Sequence, residues 1–319
     1  MTQNQTIKAS EDQYRSKVTP DILDFPGSIF YHSDFLTTAS KILNLKFQPL
    51  LCISNEELTG IANTFTANRF NVKTAFIPNL FQYYGPITLK PDERIFEYID
   101  EAIKTEADAA IFSLTPEECL KSSHPGWQKQ DRLTYYLIPG NFENMKSRCS
   151  GDVKNKINKA IKADVKVMQS DKFPYEIYNS SFERKGMKPP VERQKIINWV
   201  EKMMELHLAE TFLAVVDDKP VAFRTELILG KYAYDWLAGA IIKYSSIGVN
   251  QMLVLKIGDT LYHKGIKSWD LLGGDIKSIG DFKKSFGSIS KKHVQLEKCF
   301  NLKGKIYHKL MKMKAGFNA

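Results

Sequence analysis

The chain has 319 residues, 43% apolar and 25% charged, which excludes disordered and fibrous classes and gives length enough for two ordinary domains. No apolar run reaches the roughly 18 residues that span a bilayer, and the polar start, residues 1–17, lacks the apolar stretch of a secretory signal, so a cytoplasmic protein is expected. The net charge is +9, and residues 277–319 hold eleven lysines against only Asp281 and Glu297, so this one segment carries the whole excess. Such a tail is either a solvated lysine face or an attractor for phosphate-rich partners. Cys52, Cys119, Cys149 and Cys299 lie far apart and form no Cys-x-x-Cys pair, and the six histidines have no ligand-like spacing. Neither a disulfide framework nor a metal site is expected.

In chain order, residues 28–45 lead through a strand-like opening into a helix carrying Phe35, Leu36, Ile42 and Leu43. Residues 48–53 alternate as a strand, 55–60 form an acidic turn, and 61–66 return to complete a hairpin. Further strand follows in 75–89, broken at Tyr84-Gly85-Pro86. Residues 91–104 read as a helix with the acidic start its dipole prefers. Then come a buried strand at 109–114, a short helix at 116–120 and a polar loop at 122–131. Strand 133–138 closes at Pro139-Gly140, which sets the predicted boundary: a first domain of 1–140 and a second of 141–319.

The second domain opens with a basic helical region, 142–163, turned near Ser150-Gly151. A strand at 165–168 and helices at 173–185 and 192–208 follow. Strands 211–216 and 221–229, joined by Asp217-Asp218-Lys219-Pro220, repeat the form of the first hairpin and point to a duplicated domain. A helix begins near Gly248, with Val249, Met252, Leu253, Ile257 and Leu261 on its apolar stripe, and stops at Gly265. Strand 266–271 ends at Gly273-Gly274, where missing side chains allow another backbone or a ligand to come close.

Strand alternation places Arg224 and Glu226 on one face of 221–229. Covered charges need partners. Either the two pair with each other, or Arg224 holds a phosphate or carboxylate while Glu226 deprotonates an amine. In the next strand Tyr232, Tyr234 and Trp236 share a face and Asp235 takes the opposite one, a second candidate base. No Ser-His-Asp spacing is present, and aminolysis needs none, because the deprotonated amine is itself the nucleophile. Beyond Gly273-Gly274, Phe282-Lys283-Lys284-Ser285-Phe286-Gly287 offers ammonium groups and backbone N–H donors to an anion or a carbonyl oxygen.

Trp269-Asp270-Leu271-Leu272-Gly273-Gly274, followed by Phe282-Lys283 and Phe286-Gly287, resembles the C-terminal signature of the Fem-type transferases and is similar to their relatives in the GNAT acyltransferase superfamily. Lys154-Asn155-Lys156-Ile157-Asn158-Lys159-Ala160 resembles the basic helix that opens their second domain; Phe30-Tyr31-His32-Ser33-Asp34-Phe35 and Tyr84-Gly85-Pro86 are fainter echoes. The resemblance implies an α+β fold of two tandem GNAT-like domains, the first degenerate, with mixed, largely antiparallel sheets flanked by helices. It implies transfer of an acyl or aminoacyl group to a small-molecule or peptide amine, with no tightly bound cofactor and with acyl-coenzyme A (acyl-CoA) or aminoacyl-tRNA as co-substrate.

GNAT enzymes cradle the coenzyme A pyrophosphate in a Gln/Arg-x-x-Gly-x-Gly/Ala loop, which falls here beside Tyr244 at residues 245–250. Gly248 is present, whereas Ser245 and Asn250 depart from the pattern, so weak coenzyme A binding is expected. The resemblance also turns Lys283 toward the reacting groups, where an ammonium would stabilise an oxyanion. The candidate catalytic residues are therefore Lys283, Glu226 and Asp235. Candidate donor or substrate contacts are Arg224, Tyr244, Ser245, Gly248, Asn250, Gly273, Gly274 and Phe282. Two other readings stay open. One is an aminoacyl-tRNA-dependent transferase acting on a peptidoglycan-precursor-like amine. The other is a non-catalytic module whose basic tail binds nucleic acid, tRNA included, or makes peripheral contact with an anionic membrane. In that tail, residues 303–317 set Ile306, Leu310, Met313 and Phe317 at near-helical intervals, a stripe that would face a membrane or pack onto the first domain.

Overall fold

The computed structural model describes residues 4–90, 95–120 and 124–316. The strands, in chain order, are β1 (Asn4–Lys8), β2 (Lys46–Ser54), β3 (Glu57–Arg69), β4 (Val72–Ala75), β5 (Pro86–Thr88), β6 (Ala109–Ser113), β7 (Gln128–Leu137), β8 (Lys166–Ser170), β9 (Ala209–Val216), β10 (Lys219–Leu229), β11 (Tyr232–Ala240), β12 (Ser268–Asp270) and β13 (Ile289–Cys299). The α-helices are α1 (Glu11–Lys17), α2 (Ser33–Leu43), α3 (Ile95–Lys104), α4 (Phe142–Arg148), α5 (Gly151–Lys162), α6 (Tyr175–Glu183), α7 (Arg193–Glu205), α8 (Val249–His263), α9 (Lys277–Lys284) and α10 (Leu302–Gly316). The acidic start expected for the helix at 91–104 falls on residues 91–94, and part of the expected loop at 122–131 on 122–123; both lie outside the described residues. The strand-like opening expected before α2 is instead a 3-10 turn, Ser28–Tyr31.

The chain folds as two compact units, residues 1–132 with 292–319, and residues 133–291. In the first unit the strand order is β1-β2-β3-β4-β6-β13, all neighbours antiparallel except the parallel pair β4–β6. In the second it is β8-β9-β10-β11-β12-β7, again antiparallel except for β11–β12. Five strands of each unit, β1-β2-β3-β4-β6 and β8-β9-β10-β11-β12, thus share one order and one pattern of directions, whereas the sixth comes last in sequence in the first unit (β13) and first in the second (β7). Each parallel pair needs a crossover helix, and α3 and α8 occupy that place in the two units. The acidic hairpin turns also match: Asn55 and Glu56 in one, Asp217 and Asp218 in the other, are all at positive φ, as a tight two-residue hairpin demands.

The cuts between the units differ from the expected 140/141 boundary. Residues 133–137 belong with the second unit because Leu137 and Tyr136 pair with Trp269 and Asp270. The C-terminal segment, expected in the second domain, belongs with the first. Gln295 to Cys299 pair with Ser113 to Ala109, and Gly304 of α10 abuts Asp108, whose carbonyl oxygen would stand 2.1 Å from any Cβ at that position.

In the second unit α8 is buried on most of its surface, through Val249, Met252, Leu253, Val254, Leu255, Ile257 and Leu261. A helix apolar nearly all round must be covered on both sides. Here β9–β11 lie on one side and α4 and α5 on the other, with the Met145 methyl filling the notch at Gly258. Full burial of each large apolar side chain stabilises by about 1.5–3 kcal/mol, so α8 is a rigid post carrying its own N-terminus and the start of β12.

Candidate active site

β10 and β11 carry the charged cluster of the second unit. Their register slips between Thr225 and Glu226: Thr225 faces Leu237, but Glu226 faces Asp235. The extra residue is a β-bulge, which re-aims side chains locally. It brings Asp235 to the Arg224 side of the sheet. The Arg224 guanidinium donates to the Asp235 carboxylate, and both side chains are 6% exposed. Arg224 therefore does not pair with Glu226, one of the two arrangements its strand spacing allowed. Arg224 Nε and Asp235 Oδ1 have no partner among the described residues. The Arg224 guanidinium carbon stands 5.8 Å from the centre of the Phe282 ring.

Glu226 is fully buried and accepts the Trp269 indole N–H at 2.7 Å, while its other oxygen has no partner among the described residues. Burial, reinforced by the Asp235 charge and opposed by Arg224 and the Trp269 hydrogen bond, holds its pKa well above the usual carboxylate range. Glu226 is thus closed to solvent in the wall of the second unit's charged cluster.

The segment around Lys283 is the helix α9. Lys283 is buried and Lys284 exposed on successive helical positions. The Lys283 ammonium donates to the carbonyl of Leu271 at 2.7 Å and also to those of Leu272 and Gly273. An ammonium has three donors, and all three are occupied. Burial pulls the Lys283 pKa down to about 8, Arg224 acting the same way and Asp235 and Asp270 opposing. The turn that it clasps is strained: Leu272 has φ +51° and Gly273 φ +26°, and a left-handed non-glycine residue costs on the order of 1 kcal/mol. Asp270, itself buried, holds the same turn from the other side, accepting the Leu272 N–H at 2.8 Å and the Thr134 hydroxyl.

Gly274 and Gly248 are both approached closely by protein atoms. A Cβ at Gly274 would lie 2.3 Å from the Tyr135 ring, and one at Gly248 would lie 2.3 Å from the Lys156 carbonyl oxygen. Gly248, at φ +85°, is the N-cap of α8 and makes no side-chain cap. Tyr244, Ser245 and Asn250 lie in the 3-10 turn Ile242–Ile247 and the first turn of α8, with the Lys243 ammonium 4.8 Å from the Tyr244 ring centre.

β11 and β12 pair only from Tyr232–Ser268 to Tyr234–Asp270. Asp235 is the next residue on one side of that limit and the Leu271–Gly273 turn the next on the other, so Arg224, Asp235, Lys283 and Gly273 converge where the parallel pairing ends. Sequence reasoning missed Asp270, Thr134 and Trp269 as parts of this site. The available signal was an aspartate and a tryptophan in a strand destined for the core. Among the described residues, no group of three or more His, Cys, Asp or Glu could hold a metal, and no helix is long and apolar enough to cross a membrane.

Residues 147–284 match the acetyltransferase (GNAT) domain family. No curated protein matches the chain. Among solved structures, FemX is similar with a TM-score of 0.67 at 10% identity, over 95% of this chain and 99% of that one. The C-terminal domain of a putative lysylphosphatidylglycerol synthetase from Agrobacterium fabrum is similar with a TM-score of 0.58 at 10% identity, over 91% and 93%. A tandem GNAT protein from the clavulanic acid biosynthesis pathway is similar with a TM-score of 0.56 at 10% identity, over 94% and 99%. Identities this low establish the fold alone. Residues 147–284 thus match the acetyltransferase (GNAT) domain family, and the chain as a whole shares the mixed α/β fold of FemX and of the tandem GNAT protein.

Proposed function

We propose that the second unit transfers an acyl group from an activated ester or thioester to an amine. The observation that carries this reading is the placement of a buried Arg224–Asp235 pair, with Nε and Oδ1 unpartnered, at the limit of β11–β12 pairing inside the segment matching an acyltransferase family. Past Tyr234 the β11 edge is not engaged by β12, so an extended donor can align its carbonyl there. Asp235 Oδ1 takes the proton from the attacking amine, while Arg224 holds the other oxygen of that carboxylate in place. The C–N bond forms as the C–O or C–S bond of the donor breaks, and the proton returns to the leaving group. Lys283 is a positioning residue in this scheme: it fixes the Leu271–Gly273 turn beside the donor.

Two features favour an aminoacyl ester over acyl-CoA as donor. Ser245 and Asn250 depart from the pyrophosphate loop, and the Lys156 carbonyl, the negative end of a dipole, abuts Gly248 where that loop would need to receive phosphate. Aminoacyl-tRNA is the matching donor class for the Fem-type resemblance, and the acceptor is a small-molecule or peptide amine. The test is a transfer assay with acetyl-CoA and with mixed aminoacyl-tRNA against a panel of amines, scored by mass spectrometry. Amide product from either donor supports the reading, and product from tRNA alone supports the preferred donor. No product from either donor, together with retained binding of nucleic acid, would favour a non-catalytic module.

A further inference from the structure

We propose that the outward face of α10 is a docking surface for an anionic lipid bilayer. At 3.6 residues per turn, α10 divides into three sectors. Gly304, Tyr307, His308 and Met311 form the inner sector: Gly304 meets the Asp108 carbonyl, His308 contacts Glu297 at 2.8 Å, and Tyr307 and Met311 line a cavity of about 310 Å³ with Phe76 and Ile77. Leu302, Ile306 and Leu310, four residues apart, form an outer stripe and are 71%, 53% and 58% exposed. Lys305 and Lys309 border the stripe on one side and Lys303 on the other, all exposed. The stripe expected to face a membrane or pack onto the first domain is therefore free, because a different face makes the packing. Met313 and Phe317 continue the spacing in sequence; the Met313 side chain and all of Phe317 lie outside the described residues.

A second observation lies in the same unit. The β3–β4 hairpin, whose Arg69 lines the same cavity as Met311, carries Phe70 at its turn, 88% exposed and at φ +53°. A bulky residue in the left-handed region of a tight turn is unfavourable for folding, and asparagine would suit the turn better.

The occupant follows from the chemistry of the faces. Apolar side chains between lysine borders match a bilayer boundary, where the apolar groups enter the acyl region and the lysine stems reach back to the headgroups. The +9 charge of the chain resides entirely in residues 277–319, and a negative surface attracts it. Nucleic acid would engage the lysines but gain nothing from the leucine and isoleucine stripe. A second copy of the chain would bring two lysine borders together, which repel.

The proposal is independent of acyl transfer and is tested without substrate. The full chain is mixed with phosphatidylcholine vesicles and with vesicles containing phosphatidylglycerol, and bound protein is measured by flotation. Binding is expected only with phosphatidylglycerol. Leu302→Ser/Ile306→Ser/Leu310→Ser should weaken it about ten-fold or more. Each of Lys305→Gln and Lys309→Gln should weaken it about five-fold. Phe70→Asn should weaken it without loss of thermal stability. Absence of binding to phosphatidylglycerol vesicles would overturn the proposal. So would binding that ignores the apolar changes, which is adsorption of a polycation. It would also fail if the triple change abolished a concentration-dependent dimer, or if tRNA bound in an Ile306- and Leu310-dependent manner while vesicles did not.

Discussion

Arg224 closes on Asp235 across two strands whose register slips between Thr225 and Glu226. Without that slip, strict alternation would carry Asp235 to the far side of the sheet. The pair leaves one donor and one acceptor atom unpartnered in a buried place, a costly arrangement that a bound substrate would relieve.

Asp235→Asn keeps an oxygen for Arg224 and removes the proton acceptor. Turnover in the transfer assay should fall by about 10²–10⁴-fold with a smaller change in donor KM. Arg224→Lys keeps the charge and loses the planar fork, so it should retain part of the activity. Unchanged turnover in Asp235→Asn would remove Asp235 from the chemistry.

Glu226 gives a pH signature in stability. Its folded pKa is raised by burial, so between the unfolded value and the raised one the unfolded chain binds fewer protons and stability falls as pH rises. The slope reaches up to about 1.4 kcal/mol per pH unit for one proton. Glu226→Gln keeps an acceptor for the Trp269 N–H and cannot ionise. Urea unfolding from pH 5 to pH 8 should show the variant matching the parent at the acid end and exceeding it at the other. Parallel curves would mean that Glu226 is charged in the folded protein.

Lys283→Met empties the cradle formed by the Leu271, Leu272 and Gly273 carbonyls. Amide exchange across 271–274 should accelerate, and stability and turnover should fall together. Lys284→Met, on the exposed side of α9, should stay within about 0.5 kcal/mol of the parent. Loss of turnover in Lys283→Met with exchange and stability unaltered would instead assign the ammonium to the oxyanion.

Gly248→Ala meets both a positive φ and the Lys156 carbonyl, so it should destabilise by more than about 1 kcal/mol. Calorimetric titration of the parent with acetyl-CoA should give weak binding or none. Tight binding that Gly248→Ala abolishes would restore the pyrophosphate-loop reading.

The hairpins and α2 were legible because each buries one face and so imprints a period on the sequence, and α8 because its long apolar run is bounded by Gly248 and Gly265. β13 was not read as a strand: Lys291 and Lys292 stand where alternation is sought, and only His293 and Leu296 are buried on it. Its place in the first unit, distant in sequence, is a tertiary fact that no local pattern records. At the site, Arg224, Asp235 and Lys283 were found by residue type and motif. Their partners were not, because a one-residue bulge in β10–β11 and the helical turn of α9 decide which groups meet. Lys283 is the clearest case: its charge and motif marked it as a catalytic candidate, and no sequence pattern records the three backbone carbonyls that its ammonium meets.

The most direct test of acyl transfer is single-turnover formation of amide product by the parent and by Asp235→Asn, with aminoacyl-tRNA as donor and a saturating amine. The account predicts product with the parent and a rate at least about 100-fold lower with the variant, at comparable donor binding. Equal rates, or no product from the parent with any donor of either class, would contradict it.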